Sequence, residues 1–229
     1  MKLTPLRVPE PSTRPGDASS TGRDRGAVEA LTAALSRRFP GMVESIGAAD
    51  VVEGTARPGR AAELRDGSIT EVVGLPGEGG TTRVLEGMAQ VLGRRPRRFA
   101  LWLDLEGTFY PPAAAQLGVP LERLLLVRTA DLATGLAAVE LSLRGGAVCM
   151  AAVDVPASVQ PLRLSLYHRL RRRVRESGGV LVVLSRHSII PADQRVLLGD
   201  GRPSGSVVDS PLHIPASGGR ASMRSLSGA

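Results

Sequence analysis

The chain has 229 residues, 42% of them hydrophobic but only 3% aromatic, and a formal charge of +7. That supports one moderate domain cored by Leu, Val and Ala, and the basic balance, nearly all arginine because Lys2 is the only lysine, favours nucleic acid or an acidic protein as partner. Lone Cys149 excludes an internal disulfide, no apolar run reaches the ~20 residues that span a bilayer, and Met1 to Thr21 has no secretion-signal core, so a cytoplasmic protein is expected.

Residues 1–22, rich in Pro, Ser, Thr and charge, read as a disordered tail. Arg23 to Phe39 reads as an amphipathic helix, with Val28, Leu31, Ala34 and Leu35 at helical spacing and Pro40-Gly41 to stop it. Met42 to Ile46 suits a short strand, which makes 23–47 an N-terminal helix-and-strand element; 48–67 is a linker. The core, 68–213, alternates. Strands are expected at Ser68–Val73, Phe99–Leu105, Leu124–Arg128, Ala147–Asp154 and Val180–Ser185. Helices are expected at Thr81–Leu92, Pro111–Leu117, Asp131–Leu143 and Leu162–Glu176. This alternation predicts an α/β fold with a mostly parallel sheet flanked by helices. Val196–Leu198 and Val207–Leu212 suit short strands at a sheet edge, and 214–229 reads as a flexible Ser/Gly-rich tail.

The segment Gly74-Leu75-Pro76-Gly77-Glu78-Gly79-Gly80-Thr81-Thr82 has the outline of the phosphate-binding pattern G-x-x-x-x-G-K-[ST]. Gly74, Gly79 and Thr81 are in register, but Gly80 stands in the lysine slot. Gly77, Gly79 and Gly80 give a strand-to-helix turn the freedom to bring backbone N–H groups to an anion. Thr81 is placed to set its hydroxyl on magnesium, with Thr82 beside it. The missing ammonium weakens the grip on outer phosphates, since a charge-assisted hydrogen bond is worth ~1.5–3 kcal/mol. Phosphoryl transfer suffers more, because charge develops there in the transition state.

Two acidic sites follow the loop in order. Asp104 and Glu106, two residues apart at the end of a strand, are expected on one face of the sheet, where Glu106 could position a water. Asp154 ends the apolar run Val148 to Val153, as an acid that holds magnesium through water would. Two arginine clusters are candidates for DNA: Arg94, Arg95, Arg97 and Arg98 in a turn, and Arg169, Arg171, Arg172, Arg173 and Arg175 on the outer arc of a helix. Scarce aromatics argue against reading bases. His168, His187 and His213 lack metal-ligand spacing with Cys149, and no nucleophile elbow occurs between a strand and a helix, so neither a metal site nor acyl transfer is expected.

In order, these segments resemble the RecA family. Arg25 to Met42 is similar to the RecA N-terminal helix and following strand, and Gly67 to Gly74 to the strand entering its Walker A loop. Leu103-Asp104-Leu105-Glu106, Leu117-Gly118-Val119 and Leu124-Leu125-Leu126 match the segment that carries the RecA catalytic glutamate. Val153-Asp154 matches Walker B, and Leu181 to Arg186 matches the strand with the switch glutamine. The departures are Gly80 for lysine, Arg186 at the switch position, only Val155 to Pro161 where RecA has its first DNA-binding loop, and no RecA C-terminal DNA-binding domain.

A small, degenerate RecA-like P-loop core of this kind resembles the ImuA type, which acts with an error-prone polymerase pair in damage-induced (SOS) translesion mutagenesis. The resemblance implies RecA, an ImuB-type Y-family-like protein and the error-prone polymerase complex as partners, possible contact with DNA, and nucleoid association. Glu106 would be vestigial and Arg186 would hold the switch position. Val28, Leu31, Leu35 and Phe39 would bind a partner, as RecA protomers join when this helix packs on a neighbour. Such a chain would recruit the polymerase at a RecA filament or limit filament growth. No resident cofactor is expected; ATP with magnesium would be held by Thr81 and Asp154 only if the degenerate loop works. The alternatives are a weak ATPase and DNA-binding RecA paralogue, with Arg186 replacing the lysine, and a SulA-like cell-division inhibitor.

Overall fold

The computed structural model describes residues 18–46, 64–199 and 206–209. Residues 1–17, 47–63 and the expected tail 214–229 lie outside them, as does the side chain of Val28.

One eight-stranded sheet runs through the molecule in the order β1-β4-β3-β5-β6-β2-β7-β8. The strands are β1 (Val43–Ser45), β2 (Ile69–Val73), β3 (Phe99–Asp104), β4 (Leu124–Arg128), β5 (Val148–Asp154), β6 (Val180–Ser185), β7 (Gln194–Leu197) and β8 (Ser206–Asp209). The six inner strands pair in parallel. Antiparallel β1 and β8 close the two edges. The inner strands are continuous apolar runs because both their faces are covered. Alternate residues go to opposite layers: Leu101, Leu103, Ala151, Val153, Leu181 and Val183 to one, Ala100, Trp102, Met150, Ala152, Val180 and Val182 to the other.

The first layer is covered by α1 (Ala18–Arg38), α4 (Leu132–Arg144) and α5 (Leu164–Ser177), the second by α2 (Gly80–Arg94) and α3 (Pro111–Gln116). On α2, Val84, Leu85, Met88, Val91 and Leu92 form the buried stripe that the helical period demands. On α5 the stripe is Tyr167, Leu170 and Val174. Asp131 starts α4 by accepting from the N–H groups of Ala133 and Thr134.

The N-terminal element is part of this core rather than an appendage. The helix begins at Ala18, ahead of the expected Arg23. Leu35 is fully buried, Leu31 and Phe39 nearly so, all in the layer with α4. β1 pairs with β4, Val43 opposite Val127. The expectation that Leu31, Leu35 and Phe39 offer an apolar face to another protein is therefore corrected: the chain's own core covers them. An apolar stripe in a sequence says that a face is buried and is silent about which chain buries it.

Candidate functional site

All the parallel strands end at the same edge of the sheet. The connection after β2 enters the α2 layer, whereas Ile189, Ile190 and Ala192, which follow neighbouring β6, pack in the opposite layer. Strand ends that part in this way leave a crevice between them. Here it is a cleft of about 450 Å³. It gathers Gly74, Gly77, Gly79, Gly80, Thr81 and Thr82 from the glycine loop, Glu106 and Thr108 after β3, Asp154 from β5, and Ser185 and Arg186 from the end of β6. Every nucleotide-site candidate read from the sequence thus lies in one place, although their positions span 112 residues from Gly74 to Arg186 (186 − 74).

The loop holds its shape through two residues that an L side chain would strain, Gly77 at φ 90° and Gly79 at φ 83°. The Glu78 N–H closes a tight turn on the Leu75 carbonyl at 3.2 Å. α2 then starts at Gly80, and no side chain caps Gly79 among the described residues. The amides of a helix's first turn have no intrahelical acceptor, so this end of α2 is suited to an anion.

Gly80, in the lysine slot, is more than a missing side chain. A Cβ there would stand 2.7 Å from Cδ1 of Leu184 and 3.3 Å from Cδ1 of Leu198. The side-chain tips of half-buried Leu184, at the end of β6, and Leu198, just past β7, stand where a lysine stem would run and would have to turn aside for it. Glu78, which the sequence reading passed over, acts in the same direction. Its carboxylate folds back on the loop, accepts from the Leu75 N–H at 2.6 Å and lies against Gly74 and Gly199. A negative charge beside the turn opposes any second anion brought to it.

The three acids have different roles. β3 ends at Asp104, which is buried, whereas Glu106, two residues beyond the strand, lines the cleft. Asp104 is buried and accepts from the N–H groups of Thr108 (3.0 Å) and Phe109 (3.1 Å), with Arg128 Nε at 3.6 Å. It shapes the loop that presents Glu106. Asp154 is the register partner of Asp104 on β5 and lines the cleft. Burial first, then the charges of Asp104 and Glu106, push its carboxyl up to about 6, with Arg186 opposing. Thr81 and Asp154 line the same cleft and fit a magnesium-bound nucleotide as hydroxyl and carboxylate donors. No cluster of three or more His, Cys, Asp or Glu that could hold a metal ion by itself occurs among the described residues.

The raised Asp154 carboxyl has a sign that can be tested. The folded chain holds this proton more tightly than the unfolded chain, so its stability contribution is complete below the ordinary value of 3.8 and is lost as pH rises through about 6. Asp154→Asn keeps the uncharged form at every pH. The variant is expected to melt with wild type near pH 4 and above it at about pH 7.5, in paired thermal melts.

Glu71 was also missed. It lies on β2, fully buried, and its carboxylate accepts from the N–H groups of Ile189 (2.7 Å) and Ile190 (3.3 Å), from Ser188 Oγ (3.1 Å) and from Arg195 Nε (2.7 Å). This one acid secures the segment that leaves β6 just past Arg186. An isolated glutamate in an apolar strand gives no such indication, because its partners lie more than a hundred positions away.

The arginines on α5 are largely committed within the chain. Arg169 binds Glu140 of α4 at 2.8 Å, and Arg173 binds Glu140 at 3.6 Å and Glu176 at 2.7 Å. Arg171 binds Asp193 at 2.6 Å and the Tyr167 hydroxyl, and Arg172 reaches Glu176 at 3.7 Å. Arg169 and Arg172 remain more than half exposed in these pairs, and Arg175 alone on this helix forms no ion pair among the described residues. Arg94, Arg95, Arg97 and Arg98 lie at the opposite edge of the sheet from the cleft. No protein-family model matches the chain, and no curated protein matches it significantly. No helix among the described residues is long and apolar enough to cross a membrane.

Proposed function

We propose that this chain is a degenerate RecA-like P-loop protein that works by binding other proteins rather than by turning over a nucleotide. The observation that carries the reading is the state of the lysine slot: Leu184 and Leu198 close on Gly80, and the Glu78 carboxylate lies against the loop beside it. The cleft keeps the outline of a nucleotide site, with Thr81, Glu106 and Asp154 around a glycine turn. It lacks the ammonium that would neutralise developing charge on a transferred phosphoryl group. The resemblance to ImuA-type proteins supplies the biological setting: an adaptor in SOS translesion synthesis that contacts RecA and an ImuB-type polymerase protein, and limits filament growth or recruits the polymerase complex.

Because Leu31, Leu35 and Phe39 are buried in the chain's own core, partner contact falls to other surfaces, the exposed face of α1 among them. Co-purification of the full chain with RecA and with the ImuB-type protein, with and without single-stranded DNA, tests the proposal. Capture of both partners that is unchanged in Asp154→Asn is the expected result. Failure to capture either one rejects the adaptor role.

Arg186 supports a second reading, a weak ATPase. It lines the cleft, and its charge acts on Asp154. Tight magnesium-nucleotide binding that disappears in Arg186→Ala would favour that reading.

A further inference from the structure

The edge of the sheet opposite the cleft carries a second concave surface. Here the turn after α2 leads into β3, Gly145-Gly146 into β5, and Gly178-Gly179 into β6. Two recesses meet at Arg98 and Ser177, of about 400 Å³ and 230 Å³. Arg95, Arg97 and Arg98 line the first, and Arg98, Arg144 and Arg173 the second. The acid in their lining, Glu176, is bound to Arg173 at 2.7 Å.

This basic surface is built rather than loose. Arg123 Nη1 donates to the carbonyls of Leu92 (3.2 Å), Arg95 (3.2 Å), Pro96 (2.9 Å) and Arg98 (3.4 Å), which fixes the turn. Arg95 is held by Asp66 at 2.5 Å and by the Gly178 carbonyl at 3.1 Å. Arg98 and Arg144, in the lining, and exposed Arg94 at the end of α2 form no ion pair among the described residues.

We infer that this edge binds the phosphodiester backbone of duplex DNA without sequence preference. Guanidinium groups take phosphate oxygens in a two-pronged fit, and a set of them along a groove matches the regular charge of a duplex. No aromatic residue lines either recess, so bases of a single strand have nothing to stack on. A protein partner would need a buried apolar anchor, and the recesses offer only Pro96 and Leu143. The glycines let a backbone approach closely. The inference is independent of the reading of the cleft and of the proposed partners.

The test is fluorescence anisotropy of the full chain with a labelled duplex of about 20 base pairs, across a salt series. Arg98→Glu/Arg144→Glu is compared with Arg37→Glu/Arg38→Glu, an equal charge change on the exposed end of α1. The expected result is a loss of roughly tenfold or more in the first variant, with a log–log salt slope shallower by about two, and a much smaller change in the second. Equal losses in the two variants would reduce the effect to net charge and overturn the site. So would a single strand of the same length, or a polyglutamate competitor, bound as tightly as the duplex. Thermal melts check folding, and Arg98→Gln/Arg144→Gln, set against Arg37→Gln/Arg38→Gln and judged by the same criteria, replaces the first variant if it unfolds.

Discussion

Gly80→Lys is expected to gain ATP affinity only as far as Leu184 gives way, so Gly80→Lys/Leu184→Ala binds ATP more tightly than the single variant. The reason is steric before it is electrostatic. A Cβ at position 80 meets Leu184 at 2.7 Å, so a lysine stem must displace a leucine that helps close the cleft. That leucine is only half-buried and its tip can turn away, so the cost lies at or below the ~1 kcal/mol low end of core overpacking. Shortening Leu184 removes the obstacle and lets an ammonium group reach the outer phosphates. One charge-assisted contact is worth ~1.5–3 kcal/mol, which corresponds to roughly 10- to 100-fold in affinity. Titration with a fluorescent ATP analogue in magnesium, with a thermal melt of each variant, measures both effects. A single Gly80→Lys substitution that bound ATP as tightly as the double variant would show that the slot is open after all.

The second large effect is expected at Glu71. Glu71→Ala leaves Arg195 without its buried carboxylate and leaves the N–H groups of Ile189 and Ile190 without their acceptor. Breaking a buried charged network by removing one partner costs about 3–5 kcal/mol. Denaturant unfolding followed by circular dichroism should show a loss of that size. Because the released segment begins just past Arg186, the cleft wall should loosen as well, and proteolysis should cut first between Arg186 and Asp193. A loss below about 1 kcal/mol would mean that the carboxylate is dispensable to the fold.

Most of the architecture was legible in the sequence because it rests on local signals. β4 and β6 fall where the apolar runs Leu124–Arg128 and Val180–Ser185 place them, and α2 begins within a residue of its expected start. The cleft was legible for a related reason: in a parallel sheet, residues at the ends of different strands meet at one edge whatever their separation in the chain. Four features were not. The fate of α1 depended on which surface its stripe covers, and periodicity cannot decide that. The roles of Glu71 and Asp104 depended on distant or loop partners. The packing of Leu184 and Leu198 against Gly80 depended on three strand ends converging, which no spacing rule encodes. The α5 arginines belong with these, since Glu140 sits on another helix.

The same logic explains how the two edges of the sheet differ. Acids at the strand ends of the cleft raise the cost of charge there, as Asp154 registers, while arginines crowd the strand starts at the opposite edge. An anion would therefore meet opposition in the place where a working phosphate loop welcomes it and attraction at the opposite edge, where the turn arginines already pointed. The evolutionary reason for this inversion is open to experiment through the partners proposed above.

The central claim is that the cleft has lost the means to split a nucleotide, and steady-state phosphate release from magnesium-ATP by the purified full chain tests it most directly. The account predicts release no faster than in a Glu106→Gln control, with or without single-stranded DNA. Magnesium-dependent turnover well above that control, abolished by Glu106→Gln, would contradict it.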